Sequence, residues 1–259
     1  NSGAKELWRG PWAGISRTNW VMSNIDKSPR ITNEKKTQYK GEAHFLRGLY
    51  YFNLVRLFGD VPWIEKQQTA SDNLMVKRTP KETVYENIIN DLKDAAEMLP
   101  AVYDNSSDIG RATKGAAFGL LAKVYLTQKR YKETLIAIDS VMDLNVYSLN
   151  RKYEWNFNDT RENGPESLFE VQYEKDVTAY AEFDILGQGG WHHEYMAPLA
   201  SINIGGPWGN FGWFAVYPEF VNSYEEGDLR KSISVWCEGD VYQGWSYDPT
   251  CSQTGHNVK

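Results

Sequence analysis

The chain has 259 residues, a formal net charge of −6 and a hydrophobic content of 41%. A chain of this length can bury a sizeable core in one or two domains. Lysine and arginine are dispersed and form no basic stripe, which argues against nucleic acid as a partner. No apolar run reaches the ~18 residues needed to cross a bilayer, so the sequence predicts no membrane span.

The first predicted element is a helix over residues 7–26, in which apolar residues recur at helical spacing. Pro11 is expected in an early turn, where its missing N–H costs nothing. A polar loop over 27–33 follows. Thr32 or Asn33 is then expected to cap the next helix, because short polar side chains accept from exposed amides there.

The longest apolar run of the chain is Gly41 to Trp63, GEAHFLRGLYYFNLVRLFGDVPW. A helix that is apolar nearly all round is predicted to be buried among other helices. Gly59 can take the left-handed conformation that closes a helix, and Pro62 cannot continue one. The sequence thus predicts a central core helix in which Arg47 and Arg56 need carboxylate or carbonyl partners.

The stretch Glu42 to Pro62, with the pattern E-A-x-F-L-R-x-L-Y-Y-F-x-L-V-R-L-F-G-D-V-P, resembles the signature helix of the SusD/RagB-like family. These are outer-membrane lipoproteins that capture nutrients at the cell surface. The family's preceding helix has the form W-x-x-x-(Y/W)-x-x-I-x-x-x-N, which Trp8, Trp12, Ile15 and Asn19 match. By this resemblance the first tryptophans are structural.

Another helix is predicted to start at Thr79-Pro80-Lys81-Glu82, where Thr79 and Glu82 have capping-box spacing and Pro80 suits the first turn. An apolar stripe carries this helix to Pro100. Residues 77–92 resemble the family's segment at this point.

The stretch 110–144 is predicted to form two antiparallel helices joined at Gln128 to Arg130. Small residues near Gly115 and Gly119 alternate with large apolar ones, and the unit resembles a tetratricopeptide repeat. We interpret this unit as scaffold. Other helices must flank it, because one repeat cannot bury both of its faces.

Beyond Leu144 the sequence changes character, and six of the ten tryptophans follow residue 150. Glu166 to Tyr173 is predicted as a short strand, and Gly187 to Tyr217 as a long glycine- and aromatic-rich loop. Long loops in compact proteins often carry function. A short helix is expected at Pro218, and the segment through Arg230 resembles the family's P-x-x-(L/F)-V-x-x-(F/Y)-E-x-x-D-x-R pattern.

The predicted fold is mostly α, with tetratricopeptide-like helical repeats of SusD-like type and an irregular aromatic-rich loop region that contains short strands. Residues 1–149 form the helical repeat scaffold, and residues 150–259 form the loop-rich ligand-binding region of the same domain. Because the family continues with further repeat helices, the resemblance implies a fragment or an unusually short member. A leader and a lipid-bearing cysteine are expected upstream.

The candidate ligand-binding residues lie in the long loop. Flat aromatic faces pack against the C–H faces of pyranose rings, and polar side chains bind the hydroxyl groups. The predicted platforms are Trp191, Trp208, Phe211 and Trp213, and the predicted polar contacts come from His192, Tyr195 and Asn210. The alternative for each residue is that it seals the loop onto the helical core.

The resemblance implies capture of oligosaccharide or polysaccharide, without catalysis or a cofactor, for a SusC-like TonB-dependent outer-membrane transporter. Two alternatives stay open: capture of peptides or other non-glycan nutrients, and glycan hydrolysis. Hydrolysis would need two carboxylates paired in space, from a set that comprises Glu194, Glu219, Glu225, Glu226 and Asp228. His192-His193-Glu194 lacks the HExxH spacing, so no metal site is predicted.

Cys237 and Cys251 are the two cysteines of the chain. An exported protein could hold them as a disulfide or as two thiols, whereas free thiols would suit a cytosolic one. The bond would contribute about 3 kcal/mol by closing a short loop. The sequence leaves both states open.

Overall fold

The computed structural model describes residues 2–172, 215–242 and 244–259. The chain divides into two compact units. The first comprises Asn1–Asn150 and Asp159–Val171, and the second comprises Arg151–Asn158 and Gln172–Lys259.

The first unit is an array of helices, α1 (Ser2–Asn24), α2 (Asn33–Phe58), α3 (Lys81–Met98), α4 (Lys114–Thr127) and α5 (Tyr131–Met142). Each helix packs against the next one along the chain. Short 3₁₀ turns lie at Ile25–Lys27, Ser106–Asp108 and Asp159–Arg161. The predicted mostly helical, repeat-like fold is confirmed. No helix in the described ranges is both long and apolar enough to cross a bilayer.

Helix α2 begins and ends as the sequence predicts. The Thr32 hydroxyl accepts a hydrogen bond from the backbone N–H of Lys35, and Gly59 follows the helix with a φ of +68°. Only glycine adopts this backbone conformation without strain. The expectation that the helix is buried nearly all round is wrong for its last turn, because Leu57 is 54% exposed there.

Arg47 is the buried cation of α2, with 5% exposure. Its Nε and Nη2 donate to the two carboxylate oxygens of Asp91 in α3, over 2.7 and 2.6 Å. Its Nη1 donates to the Asn19 side chain of α1 and to the Glu65 carbonyl, both over 3.0 Å. The predicted carboxylate partner is therefore present for Arg47.

Arg56 differs from the prediction, because it is exposed and bonded to no carboxylate among the described residues. Its guanidinium donates to Asn53 and lies 4.5 Å from the Phe52 ring centroid. Water solvates this cation, so it needs no buried counterion.

The irregular segment between α2 and α3 is held by side chains of the first two helices. The Tyr51 hydroxyl accepts from the Ile64 backbone N–H over 2.7 Å, and the Asn19 amide donates to the Ile64 carbonyl over 2.7 Å. These bonds replace those of regular secondary structure, which buried backbone groups otherwise require.

The predicted capping box of α3 is wrong. Thr79 lies in an isolated antiparallel bridge with Val61, and its hydroxyl accepts from the Trp63 N–H instead of a helix amide. Pro80 is the residue before the first helical turn, and Asp60 accepts from the Lys81 N–H over 2.9 Å. The Asp60 carboxylate, from the preceding loop, therefore accepts a hydrogen bond from an otherwise unpaired backbone N–H at the start of the helix.

The helices α4 and α5 form the predicted antiparallel pair. Thr113 caps α4 by accepting from the Ala116 N–H, and Lys129 takes a positive φ in the turn between the helices. A side chain at Gly115 would overlap the Tyr147 ring, so this small residue is required for close packing. Small residues in the helix pair thus have the scaffold role that the sequence indicates.

The α1 tryptophans Trp8 and Trp12 are structural, as the resemblance implies. Their rings make edge contacts with Phe58 and Tyr51 of α2. The predicted place of Pro11 is wrong, because α1 begins at Ser2 and Pro11 lies inside it.

The second unit contains short elements, α6 (Pro218–Asn222), α7 (Leu229–Ser234), β1 (Val235–Trp236), β2 (Val241–Tyr242), β3 (Trp245–Ser246) and β4 (Asn257–Val258). Strands β1 and β4 pair antiparallel, as do β2 and β3. Trp236 stacks on Tyr247 at 6.0 Å, and the Tyr247 hydroxyl donates to Asn257. The predicted helix at Pro218 is confirmed, but residues 166–172, where a strand was predicted, form none.

We expect Arg47→Leu to lower the free energy of unfolding by about 3–5 kcal/mol, because it leaves the Asp91 carboxylate buried without its counterion. Arg56→Leu is the matched control, since that arginine is exposed, and should change stability by about 0.5 kcal/mol or less. Urea unfolding followed by circular dichroism measures both. A loss below 1 kcal/mol for Arg47→Leu would show that Asp91 finds another partner.

A second prediction concerns Tyr51, whose pKa is raised by burial. The folded state holds this proton more tightly than the unfolded chain does, so stability is lost as the pH rises above about 10. Tyr51→Phe should cost about 1–3 kcal/mol near neutral pH, because the Ile64 N–H loses its acceptor. The variant should then lose less further stability than wild type between pH 9 and about 11. Urea titrations across this range test it, with Tyr50→Phe as the control.

Candidate functional site

The predicted ligand-binding residues all lie outside the described residues. They are Trp191, His192, Tyr195, Trp208, Asn210, Phe211 and Trp213, within the range 173–214. Glu194 of the hydrolase alternative lies in the same range. The described part of the second unit nevertheless contains a cleft that also combines aromatic and polar side chains. None of its residues is among the predicted ligand-binding residues.

This cleft, which we call the aromatic cleft, has a volume of about 330 Å³. One wall comes from the 3₁₀ helix Tyr153–Phe157, and the other from the end of α6, the following turn and the start of α7. The cleft is lined by Tyr153, Phe220, Ser223, Tyr224, Glu225, Asp228 and Arg230. Its volume is at the lower end of the range for small-molecule sites.

Aromatic rings form the apolar surface of the cleft. Phe220 is 55% exposed and Tyr153 is 39% exposed. The Phe220 and Tyr224 rings meet edge to face, with 5.5 Å between centroids and an interplanar angle of 79°. Because each ring is supported by a neighbour while keeping exposed surface, these aromatics can accept a flat apolar ligand face.

The polar side of the cleft is organised by Asp228 and Arg230. Asp228 caps α7 by accepting from the Arg230 backbone N–H over 2.9 Å, and Arg230 Nη2 donates to the same carboxylate over 2.6 Å. The hydrogen bonds from the Arg230 side chain and backbone hold the pKa of Asp228 below its ordinary value. Asp228 is therefore ionised at neutral pH, and the guanidinium is held at one edge of the cleft.

This state of Asp228 bears on the hydrolase alternative. A glycosidase needs a general acid that stays protonated near neutral pH, which requires a raised pKa. The lowered pKa of Asp228 is unsuited to that task. In the cleft Asp228 instead anchors the helix start and Arg230.

A cluster in the first unit, His44, Asp91 and Asp94, has the residue types of a metal site. However, Asp91 receives two hydrogen bonds from Arg47 and one contact of 2.8 Å from His44 Nδ1. The guanidinium already neutralises this buried carboxylate, so a cation would have to displace it. We interpret the cluster as part of the structural network around Arg47.

Cys237 and Cys251 are thiols in the structure and are not joined to each other. Cys251 is buried, and Cys237 is half-buried. Burial and the neighbouring Asp240 raise the pKa of the Cys237 thiol, which lowers its thiolate fraction and its reactivity. The disulfide stays a prediction for protein made in an oxidising compartment.

Comparison with known proteins identifies the scaffold. The family model described as "Starch-binding associating with outer membrane" matches residues 1–126. A SusD-like protein of Formosa agariphila, P25, is 25% identical over 256 residues, covering 89% of this chain and 48% of its own length. Over these residues the chain is similar to the SusD-like family. The resemblance of the signature helix is thereby confirmed.

Two further relatives are named for what they bind. The structure of surface glycan-binding protein A from Bacteroides fluxus aligns with a TM-score of 0.82 at 26% identity, covering 97% of this chain and 53% of that one. Starch-binding protein SusD of Bacteroides thetaiotaomicron is 28% identical over 144 residues, covering 51% of this chain and 25% of its own length. This SusD-like chain spans about half the length of its first relatives.

Sequence reasoning noticed part of the aromatic cleft without assigning it a function. The segment from Pro218 to Arg230 matches a family pattern, and this match indicates the family resemblance without indicating a binding site. Tyr153 gave no signal, because it lies about 70 residues before Phe220 and only the fold brings them together. Local spacing could have indicated an exposed Phe220, since it follows the polar start of a short helix.

We predict that the disulfide Cys237–Cys251 forms when this SusD-like chain is exported. Digestion without reduction should yield the two cysteine peptides as one cross-linked species, and reduction should separate them. Because the loop is short, the bond should add about 3 kcal/mol to the free energy of unfolding. Recovery of both cysteines fully alkylated from protein of an oxidising compartment would contradict this prediction.

Proposed function

We propose that this SusD-like chain is the glycan-binding part of a cell-surface protein. It captures oligosaccharide or polysaccharide and passes it unaltered to a SusC-like TonB-dependent outer-membrane transporter. One observation carries the proposal: nearly the whole chain aligns with a surface glycan-binding protein at a TM-score of 0.82. The exposed rings of the aromatic cleft support it.

The chemistry of capture requires weak, reversible binding. An aromatic contact with a sugar face and a neutral hydrogen bond each contribute on the order of 1 kcal/mol. A few of each, reduced by the cost of ordering ligand and side chains, correspond to dissociation constants between about 1 μM and 1 mM. Such a protein holds a glycan at the surface and can release it again.

The long loop supplies the proposed primary contacts. Trp191, Trp208, Phe211 and Trp213 would present flat aromatic faces, and His192, Tyr195 and Asn210 would bind hydroxyl groups. This part of the proposal rests on the residue types and their spacing among glycines. The description of the family as outer-membrane associated supports a position at that membrane. A lipid anchor attached upstream would hold the protein there.

The absence of catalysis is likewise proposed. Two of the relatives reported above are named for binding glycans or starch. Among the described carboxylates of the hydrolase alternative, Asp228 is ionised and bonded to Arg230. We therefore expect bound glycans to leave the protein with their linkages intact.

Affinity electrophoresis against a panel of polysaccharides tests the proposal. We expect retarded migration in at least one glycan without release of reducing sugar. Trp191→Ala and Trp208→Ala should each weaken retardation about five- to tenfold while the thermal midpoint stays nearly unchanged. Trp20→Ala is the matched control, because Trp20 is 55% exposed on α1 and lies outside the proposed site.

Three outcomes would contradict parts of this proposal. Retardation by no glycan would favour the peptide alternative. Release of reducing sugar would overturn the non-enzymatic assignment. A large drop in thermal midpoint for Trp191→Ala or Trp208→Ala would show that these residues belong to the core.

A further inference from the structure

We propose that the aromatic cleft is a glycan subsite that selects neutral sugar units over uronate- or sulfate-bearing ones. This inference rests on the proposed function and adds to it a second contact region, separate in sequence from the long loop, and a ligand class. The cleft is open and its volume is about 330 Å³, which suits a short stretch of a longer chain.

The first step is the shape of the apolar surface. Phe220 and Tyr153 keep roughly half and two fifths of their surface exposed, in contrast to the buried aromatics of the helical array. Each ring packs against a neighbouring ring. The centroids of Phe220 and Tyr224 are 5.5 Å apart, and those of Tyr153 and Phe157 are 5.1 Å apart. Rings restrained in this way lose little freedom when a sugar packs on them.

The second step is the supply of hydrogen-bonding groups. Within the described ranges, the Tyr224 hydroxyl makes no hydrogen bond and the Glu225 carboxylate has no cationic partner. The Ser223 hydroxyl donates to the Phe220 carbonyl over 2.7 Å and retains acceptor capacity. Together these groups offer both donors and acceptors, as the hydroxyl groups of a neutral sugar require.

The third step is the charge of Arg230. A guanidinium in a cleft ordinarily attracts carboxylate or sulfate groups. Here its Nε and Nη2 are both committed to Asp228, over distances between 2.6 and 3.0 Å. The pair is neutral as a whole, so Arg230 can donate to a hydroxyl through Nη1 but offers no net positive charge.

The fourth step is the remaining charge of the cleft. With Asp228 and Arg230 paired, Glu225 leaves one net negative charge on the lining. The surrounding segment 218–231 carries four carboxylates, of Glu219, Glu225, Glu226 and Asp228, against the two cations of Arg230 and Lys231. A uronate or sulfate bound beside Glu225 would face repulsion between like charges, whereas a neutral unit would not.

The experiment uses the full chain in isothermal titration calorimetry at low ionic strength. The neutral probes are laminarihexaose, maltohexaose and a xylogluco-oligosaccharide, and the acidic probe is hexagalacturonate. Wild type should bind at least one neutral probe about tenfold more tightly than the acidic probe, and added salt should narrow the difference. Equal or tighter binding of hexagalacturonate would overturn the inference.

The aromatic contribution is tested with Phe220→Ala and Tyr224→Ala, which should weaken the neutral probe about five- to tenfold. Tyr217→Ala is the matched control, because Tyr217 is 71% exposed nearby but does not line the cleft. Unchanged affinity in both cleft variants, with wild type binding normally, would overturn the subsite and leave the proposed function intact. Binding of neither the neutral probes nor hexagalacturonate by wild type would contradict both.

The charge contribution is tested with Glu225→Gln, which preserves the shape of the side chain and removes its charge. Hexagalacturonate should bind about three- to tenfold more tightly to this variant, while the neutral probe changes by less than about twofold. Glu226→Gln is the matched control, since it removes the same charge one residue outside the lining. An equal effect of the two substitutions would show that the repulsion is general and not a property of the cleft.

Discussion

The buried bond between Arg47 and Asp91 is the interaction on which the helical array depends. One guanidinium joins α2 to α3 through the Asp91 carboxylate, to α1 through Asn19, and to the following segment through the Glu65 carbonyl. A charge this deeply buried is stable only where its donors are satisfied together. A small shift of α1, α2, α3 or the segment that contains Glu65 would therefore leave a buried polar group without its hydrogen-bond partner. The positions of these four elements thus depend on one another.

The helices that sequence reasoning located well are those whose ends are set by neighbouring residues. Thr32 caps α2, Gly59 follows its last turn, and Thr113 caps α4, all within a few residues of the helix they bound. The start of α3 was missed because the residue that accepts from Lys81 is Asp60, 21 positions away. Thr79 has the right spacing for a cap, but its backbone pairs with Val61 and its hydroxyl accepts from the Trp63 N–H, so it does not cap the helix. Local pattern cannot reveal such a tertiary competitor.

The candidate site was less predictable than the scaffold for a related reason. Residues that bury their side chains repeat at the period of a helix, and the period is visible in the sequence. The aromatic cleft has no period, since Tyr153 and Phe220 come from distant parts of the chain. Sequence alone also could not distinguish Arg47, whose charge is buried, from Arg56 nine residues later, whose charge is exposed. Exposure decides which aromatic or charged residue is available to a ligand, and exposure is a property of the fold.

The energies of scaffold and site explain why the family resemblance is easier to establish than the ligand. Removing one partner of a buried ion pair costs about 3–5 kcal/mol, a large part of the stability of a domain. Replacing an exposed residue such as Phe220 or Glu225 changes stability by about 0.5 kcal/mol or less. The same replacement can change glycan affinity severalfold, because weak binding rests on a few contacts of about 1 kcal/mol each. The signature helix is therefore constrained by folding, while the cleft is free to vary in shape and charge. The charge that Glu225 leaves on the cleft is thus more informative about the ligand than the whole of α2.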